Sequence, residues 1–328
     1  MIGYLDDITL GGDEESLARD VQQAHAQGDT LGLMLNVKKC EFINNTASSS
    51  DAIFDEFIHL KPREASLLGA PLNTGGAMAA TLSGRCDDLV LAIDRLKLLA
   101  AHDALILLRA SFSAPKVLHT LRSSPCAGHP ALDRFDTLLK NGLSQITNSN
   151  LSDLQWIQAS LPVKDGGLRA TTPDQATAGI RELWSASHNL PCPTAPLASK
   201  QHSWDEPSLA TDIAAVLSGA IDNHHRARVL AVSTTHAGDW LYALPISNCG
   251  LRLDDKTNRV AVDLRLGINL CQPHPCSCGT LVDARGTHGL ACKLSSGRMA
   301  RHHHINDLVW RALQCAGIYQ GTSRPFQI

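Results

Sequence analysis

The chain has 328 residues, of which 44% are hydrophobic and 19% charged, and its 29 basic and 32 acidic side chains give a formal net charge of -3. This composition excludes a wholly disordered chain, a collagen-like repeat and a small disulfide scaffold, because it supplies enough apolar residues to bury a core. No apolar run approaches the roughly 20 residues that span a bilayer, and the amino terminus lacks the basic region of a signal peptide. We therefore expect a soluble, intracellular protein without a membrane partner, in the nucleus or the cytoplasm. With so small a net charge, a nucleic-acid partner has to be argued from a local patch.

The first 75 residues are predicted to combine short strands with one helix. Residues 4–10 predict a strand, a tight acidic turn and a second strand. Asp13 is predicted to cap a helix with an acidic first turn, and Gly28 to end that helix. Residues 31–43 and 67–72 predict further short strands.

From about Ala79 the apolar period changes from that of strands to that of amphipathic helices. Apolar faces recur over residues 82–96, 105–121 and 132–146, and further helices are predicted over residues 175–187 and 208–232. The fold class expected is α+β and mostly α-helical. A Pro-rich and Ser-rich stretch, residues 191–206, is the predicted linker between two helical regions, residues 76–190 and 207–270.

An adjacent acidic pair, Asp6 and Asp7, occupies the turn near the amino terminus. Like charges so close repel each other, and a divalent cation such as Mg²⁺ relieves that repulsion. A two-metal phosphoryl-transfer site needs further carboxylates from other strands. By spacing alone, a solvated acidic turn is the competing interpretation.

A cluster of cysteine and histidine lies within residues 271–328. Cys276 and Cys278 form a Cys-x-Cys pair, and His288 and Cys292 form a His-x-x-x-Cys pair. These four side chains are ligands that zinc binds tetrahedrally, and four protein ligands indicate a structural ion without an open position. The one-residue separation of the first pair weakens the pattern, and four side chains that never meet is the alternative. Spare candidates for a ligand position are Cys271, His274 and His302.

The same region carries an excess of positive charge, from Arg285, Lys293, Arg298 and Arg301 against Asp283. These cations form a candidate phosphate-contacting patch, with a few solvated cations as the alternative. Trp310 falls in the apolar period of Ile305, Leu308, Val309 and Leu313, so we predict that it packs in the core and does not stack on bases.

Four motifs in order resemble the reverse transcriptase of non-LTR retrotransposons. They are Tyr4-Leu5-Asp6-Asp7 with a glycine pair and a helix, then LNVKKCEF, then LLGAPL, and later SLPVKDGGL. The resemblance implies that Asp6 and Asp7 are the acidic pair of the palm and bind catalytic magnesium. The resemblance also matches Asn36, Lys39, Cys40 and Glu41 to the second segment of the family, which makes Lys39 a candidate nucleic-acid contact. It matches Leu68, Gly69, Pro71 and Leu72 to the segment near the primer grip.

The carboxy-terminal part is also similar to related retrotransposon proteins, from Cys278-Gly279 to Asn306-Asp307. The resemblance implies a partial palm at 1–75, a helical thumb-like or connection region at 76–190, and a zinc knuckle with a terminal helix at 271–328. It implies RNA or DNA as partner and RNA-directed DNA polymerase as the activity of the family.

The chain departs from the family at both ends. Met1 lies three residues before Tyr4, so the third palm aspartate and the fingers have no counterpart, and Arg324-Pro325 lacks the acid of the endonuclease element. We therefore expect a truncated polymerase remnant without turnover, which would need magnesium only in a complete parent enzyme. The alternative is a zinc-stabilised nucleic-acid-binding module. A plain helical interaction protein, binding neither metal nor nucleic acid, is the third hypothesis.

Overall fold

The computed structural model describes residues 2–4, 7–44, 51–126, 128–170, 201–220 and 222–318. It is mostly helical with a few short strands, which confirms the expected fold class. The chain divides into two compact units. The first comprises Met1–Gly84 and His119–Cys126, and the second comprises Arg85–Leu118 and Ala127–Ile328. In the described part of the chain, every helix is too short or too polar to cross a membrane.

The strands of the first unit form three separate pairs. Strands Ile2–Tyr4 and Asp7–Thr9 are antiparallel, as are Ser66–Leu67 and Ala70–Pro71, whereas Glu41–Ile43 and Ile58–Leu60 are parallel. The first pair corresponds to the two strands predicted at the amino terminus, and the turn residues 5 and 6 lie outside the described residues. The hairpin over Ser66–Leu67 and Ala70–Pro71 overlaps the segment 67–72 that was predicted to form a strand.

One helix of the first unit, Glu14–Thr30, begins where the sequence predicts. The side chain of Asp13 accepts a hydrogen bond from the Ser16 amide at 2.9 Å and so caps the helix. The helix continues past Gly28, where the sequence placed its end, because a single glycine costs only about 1 kcal/mol of helix propensity.

One core cluster of the first unit is aromatic. Phe42 and Phe54 are buried with their rings stacked at a centroid distance of 4.3 Å, and Ala18 of the helix packs against them. The strand predicted over residues 31–40 does not form: residues 37–39 are a short 3-10 helix and Met34 is 89% exposed. Strands need a ladder partner, and residues 31–40 have none among the described residues.

The second unit is built around the helix Asp255–Leu266. Val262 and Leu266 are fully buried, and the helix contacts four others. These are Ala101–Leu107, Pro130–Thr147, Asp153–Ser160 and Asn223–Val232. Among the described residues, this unit also contains the α-helices Gln201–Ser218, Thr287–Ala291 and Ser296–Cys315, and the carboxy-terminal part of Gly76–Leu96.

The apolar faces predicted over residues 82–96 and 132–146 are buried. Within the second unit, Gly142 of Pro130–Thr147 lies against Ile93, since a Cβ at Gly142 would be 2.8 Å from the Ile93 Cδ1. The segment 105–121 is divided between several short helices, among them a π-helical segment at Leu108–Phe112 and a 3-10 turn at Ala114–Lys116. Pro115 lacks the amide proton that a continuous helix would need.

The helix predicted over residues 208–232 is instead two helices, Gln201–Ser218 and Asn223–Val232. Asp222 caps the second, because its side chain accepts a hydrogen bond from the His225 amide at 2.6 Å. Residues 201–206, assigned to the linker from the sequence, begin the first of these helices. The predicted helix 175–187 and linker residues 191–200 lie outside the described residues.

The terminal helix Ser296–Cys315 carries an apolar face that is not buried. Ile305, Leu308 and Val309 are 59%, 38% and 47% exposed, and Trp310 is half-buried. The sequence predicted a core position for Trp310, which is half-buried, whereas the apolar residues around it on this face are exposed.

Candidate metal centre

A tight hairpin carries the first two cysteines of the predicted zinc site. Strands His274–Pro275 and Leu281–Val282 pair antiparallel, and the Cys276 amide donates a hydrogen bond to the carbonyl oxygen of Thr280 at 2.9 Å. Gly279 has a φ of +85°, a left-handed conformation that glycine adopts without a steric penalty. The turn therefore places Cys276 and Cys278 side by side.

A short helix and the residue that directly follows it carry the other two candidate ligands. Helix Thr287–Ala291 starts after Gly286, which has a φ of +68°, and His288 lies in its first turn. The Cys292 amide donates a hydrogen bond to the carbonyl oxygen of His288 at 2.8 Å. His288 and Cys292 are thus one helical turn apart, on the same side of the chain.

The four side chains converge. One ligand atom from each of Cys276, Cys278, His288 and Cys292 lies within 4.8 Å of all the others, so the cluster could hold a metal ion. The Sγ atoms of Cys276 and Cys292 are 3.6 Å apart, and Cys278 Sγ lies 3.2 Å from His288 Nε2. Tetrahedral zinc with ordinary bond lengths places two sulfurs about 3.8 Å apart and a sulfur and a nitrogen about 3.6 Å apart. The observed spacings are close to these values.

The thiols of the cluster are coupled in their ionisation. Hydrogen bonds from the side chain and backbone of Thr280 lower the pKa of Cys278 to about 6, whereas burial and the neighbouring Cys276 and Cys278 raise the pKa of Cys292. The thiolate is the form of cysteine that binds metals. Cys292 is buried and Cys278 is exposed, so the cluster lies at the surface with one ligand anchored inside.

The three spare ligands predicted from the sequence are occupied elsewhere and lie outside the cluster of described residues. The Cys271 thiol donates to the carbonyl oxygen of Asp283 at 3.4 Å, and His274 Nδ1 lies 2.9 Å from the carbonyl oxygen of Gln272. His302 contacts Asn306 one turn along the terminal helix.

The predicted phosphate-contacting cations do not share one environment. Arg285 lies 3.6 Å from the carboxylate of Asp222, which offsets part of its charge. Lys293 is exposed beside the cysteine cluster, and Lys39 is exposed in the first unit. Arg298 and Arg301 lie on the terminal helix, but their side chains are outside the described part of the structure.

The acidic turn predicted to bind magnesium is described only in part. Tyr4 pairs with Asp7 across the antiparallel strands. Asp6 and the side chain of Asp7 lie outside the described residues.

A second cluster of polar side chains was not predicted from the sequence. It comprises Arg109 and the three residues of the second unit that act on it electrostatically, Arg169, Arg265 and Tyr242. These residues come from separate parts of the chain and share no motif, so only the fold brings them together.

Comparisons with protein-family models, with curated proteins and with solved structures found no match to this chain. The resemblance to reverse transcriptases therefore rests on the order of short motifs in the sequence. The metal centre rests on the geometry of its four ligands.

Proposed function

We propose that this protein is a zinc-stabilised nucleic-acid-binding protein of non-LTR retrotransposon reverse-transcriptase ancestry. The observation that carries the proposal is the convergence of Cys276, Cys278, His288 and Cys292. Three sulfurs and one imidazole nitrogen are soft or borderline ligands at tetrahedral spacing, a set that favours zinc over magnesium or calcium. With all four positions supplied by protein, the ion has a structural role.

Two arguments support a nucleic-acid partner: the positive charges near the zinc ligands and the sequence resemblance. Lys293 follows the last zinc ligand directly, and Arg298 and Arg301 follow in the next helix. Cations of this kind beside a metal-ordered turn contact phosphates, and they carry no base specificity by themselves. The ancestry is supported by the order of the four motifs, and it makes RNA or DNA the partner.

The zinc proposal is tested by metal analysis of the purified full chain. We expect one zinc ion per chain by mass spectrometry under native conditions, and we expect Cys278→Ser to lose it. Cys271→Ser is the matched control, because Cys271 belongs to the same region but donates its thiol to a backbone carbonyl. A wild-type chain without zinc, or equal loss in the two variants, would contradict the proposal.

The nucleic-acid proposal is tested by fluorescence anisotropy at several salt concentrations. We expect the affinity for a labelled single strand to fall with salt, and the paired change Arg298→Ala and Arg301→Ala to reduce that slope by about 1.4. Arg95→Ala, on an exposed position of Gly76–Leu96, is the control and should leave the slope unchanged. An affinity that does not change with salt concentration would contradict nucleic-acid binding.

A further inference from the structure

A buried arginine, Arg109, lies in the second unit with part of its guanidinium group unpaired. Its side chain is only 9% exposed, and Nη1 donates a hydrogen bond to the carbonyl oxygen of Leu241 at 2.7 Å. Its Nε is buried without a hydrogen-bond partner among the described residues. Arg109 belongs to the π-helical segment Leu108–Phe112, and segments of this kind are frequent at functional sites.

The groups around Arg109 increase its need for a counter-ion. The ionisable groups that act on it within the described residues are Tyr242, Arg169 and Arg265, none of them a carboxylate. Burial lowers the pKa of Arg109 to about 10, with Tyr242 opposing that shift and the two neighbouring arginines adding to it, so Arg109 stays charged at neutral pH. A buried cation without a paired anion is costly, and an anion from solution would offset that cost.

The guanidinium group of Arg265 is hydrogen-bonded to the protein backbone, so it is not available to a ligand. Its guanidinium donates to the carbonyl oxygens of Gly167, Ala237 and Val163 at 3.0, 3.1 and 2.7 Å. These bonds fix the segment that precedes Arg169 and the segment that leads to Tyr242. Arg265 therefore contributes charge and positions the two segments.

The cluster has an exposed side, formed by Arg169 and Tyr242. Arg169 is exposed and has a φ of +59°, and Tyr242 is 58% exposed. The centroid of the Tyr242 ring lies 5.8 Å from Arg109 Cζ. An accessible aromatic ring thus lies beside the buried Arg109, and the exposed Arg169 is near enough to act on Arg109 electrostatically.

We infer that Arg109, Arg169 and Tyr242 bind one nucleotide unit of a single-stranded nucleic acid, with its phosphate against the arginines and its base on the Tyr242 ring. Guanidinium groups match phosphate geometry with paired donors, and every base offers a face for aromatic stacking. The bases of a duplex are already stacked, which selects a single strand. This inference rests on the proposed nucleic-acid function and assigns it a site separate from the zinc ligands.

The test measures binding of the zinc-loaded full chain to a short labelled oligothymidylate and to an abasic strand of equal length. Tyr242→Leu should weaken binding to oligothymidylate about tenfold and leave binding to the abasic strand unchanged. Tyr242→Phe keeps the ring and should bind like the wild type. Arg169→Gln should weaken both strands, whereas Arg95→Gln should weaken neither. Arg109 is left intact because it is buried and bonded to the backbone.

The outcomes separate the two proposals. If the wild-type chain binds neither strand, the proposed nucleic-acid function fails and this site fails with it. If the wild type binds and the variants at positions 169 and 242 bind like their controls, only the site is wrong. Displacement of the strand by inorganic phosphate at an equal concentration of phosphate groups would show a simple anion site and would overturn the assignment to a strand.

Discussion

Arg265 donates a hydrogen bond from Nε to the carbonyl oxygen of Gly167 at 3.0 Å, although the two residues are far apart in the chain. Gly167 has no room for a side chain, since a Cβ there would lie 2.0 Å from the carbonyl oxygen of Leu161. Gln158 supports the same turn by donating to the carbonyl oxygens of Gly166 and Arg265 at 3.1 Å each. The Leu-Pro-x-x-x-Gly-Gly-Leu motif is thus held from a different helix.

Replacing Arg265 should destabilise the second unit. In Arg265→Lys a compact ammonium group cannot reach all three carbonyl oxygens, and each buried acceptor left without a partner costs about 1–3 kcal/mol. We expect a loss of roughly 3 kcal/mol in the free energy of unfolding by urea. Arg252→Lys is the control, because Arg252 forms an exposed ion pair with Asp103 and should cost less than about 1 kcal/mol. Equal losses in both variants would contradict the role given to Arg265.

Replacing Gly142 or Gly84 with alanine should change the stability of the protein in opposite directions. Gly142→Ala places a methyl group against Ile93, and the overpacking should exceed the gain in helix propensity and cost about 1 kcal/mol. Gly84→Ala has open space around it and should stabilise the protein by about 0.5–1 kcal/mol. Thermal unfolding of the two variants measures the difference, and stabilisation by both would show that Gly142 is not tightly packed.

Asp263 should make the protein less stable as the pH rises. Burial raises the pKa of Asp263, while a hydrogen bond from Ser149 and the charge of Arg259 oppose that rise. The folded-state pKa lies above the unfolded one, so the stability from this group is fully present below the unfolded pKa and is lost as the pH rises through the folded pKa. Asp263→Asn cannot ionise and should therefore be more stable than the wild type at pH 7, with an advantage that shrinks towards pH 4.

An exposed aspartate provides the control of opposite sign. The hydrogen bond and charge of Lys140 lower the pKa of Asp153, so its contribution is present above the unfolded pKa and is lost as the pH falls. Asp153→Asn should be slightly less stable than the wild type at pH 7 and equal to it at low pH. Urea unfolding across this pH range measures the stability of both variants relative to the wild type. The same pH dependence for the two variants would contradict the opposite pKa shifts given to Asp263 and Asp153.

Removal of the metal should unfold the cysteine region before the helical core. Among residues 271–295, Val282 and Cys292 are the buried side chains, so little apolar surface holds this segment. We expect a chelator to make the backbone after Arg285 and Lys293 cleavable by trypsin, because the unfolded segment fits the protease, while Asp255–Leu266 stays protected. Cys271→Ser should behave like the wild type, with and without chelator. Protection that survives chelation in the wild type would mean that the segment folds without metal.

The sequence allowed good prediction where the signal was local. Asp13 caps its helix as expected, and the apolar period of Pro130–Thr147 is buried as expected, because both depend on neighbours within a few residues. The four zinc-type ligands also converge as their spacing suggested. Each of these features is encoded in one short segment.

Prediction failed where the outcome depended on distant partners. Residues 31–40 are apolar enough for a strand but have no ladder partner among the described residues. The face with Ile305 and Val309 has a core-like period but is exposed in the described structure. Arg109 and Tyr242 carry no motif, and their proximity follows from the packing of separate segments. Periodicity shows what could be buried and does not say against which surface.

The three hydrogen bonds of Arg265 all end on main-chain oxygens, at Val163, Gly167 and Ala237. A carbonyl acceptor is the same for every amino acid, so the side chains of the held segments do not determine the bond. Lys164, which lies in one of these segments, is exposed, and its side chain takes no part in these hydrogen bonds. Arg265, on one helix, thus sets the backbone path of these segments. Their exposed side chains set the chemistry of the surface.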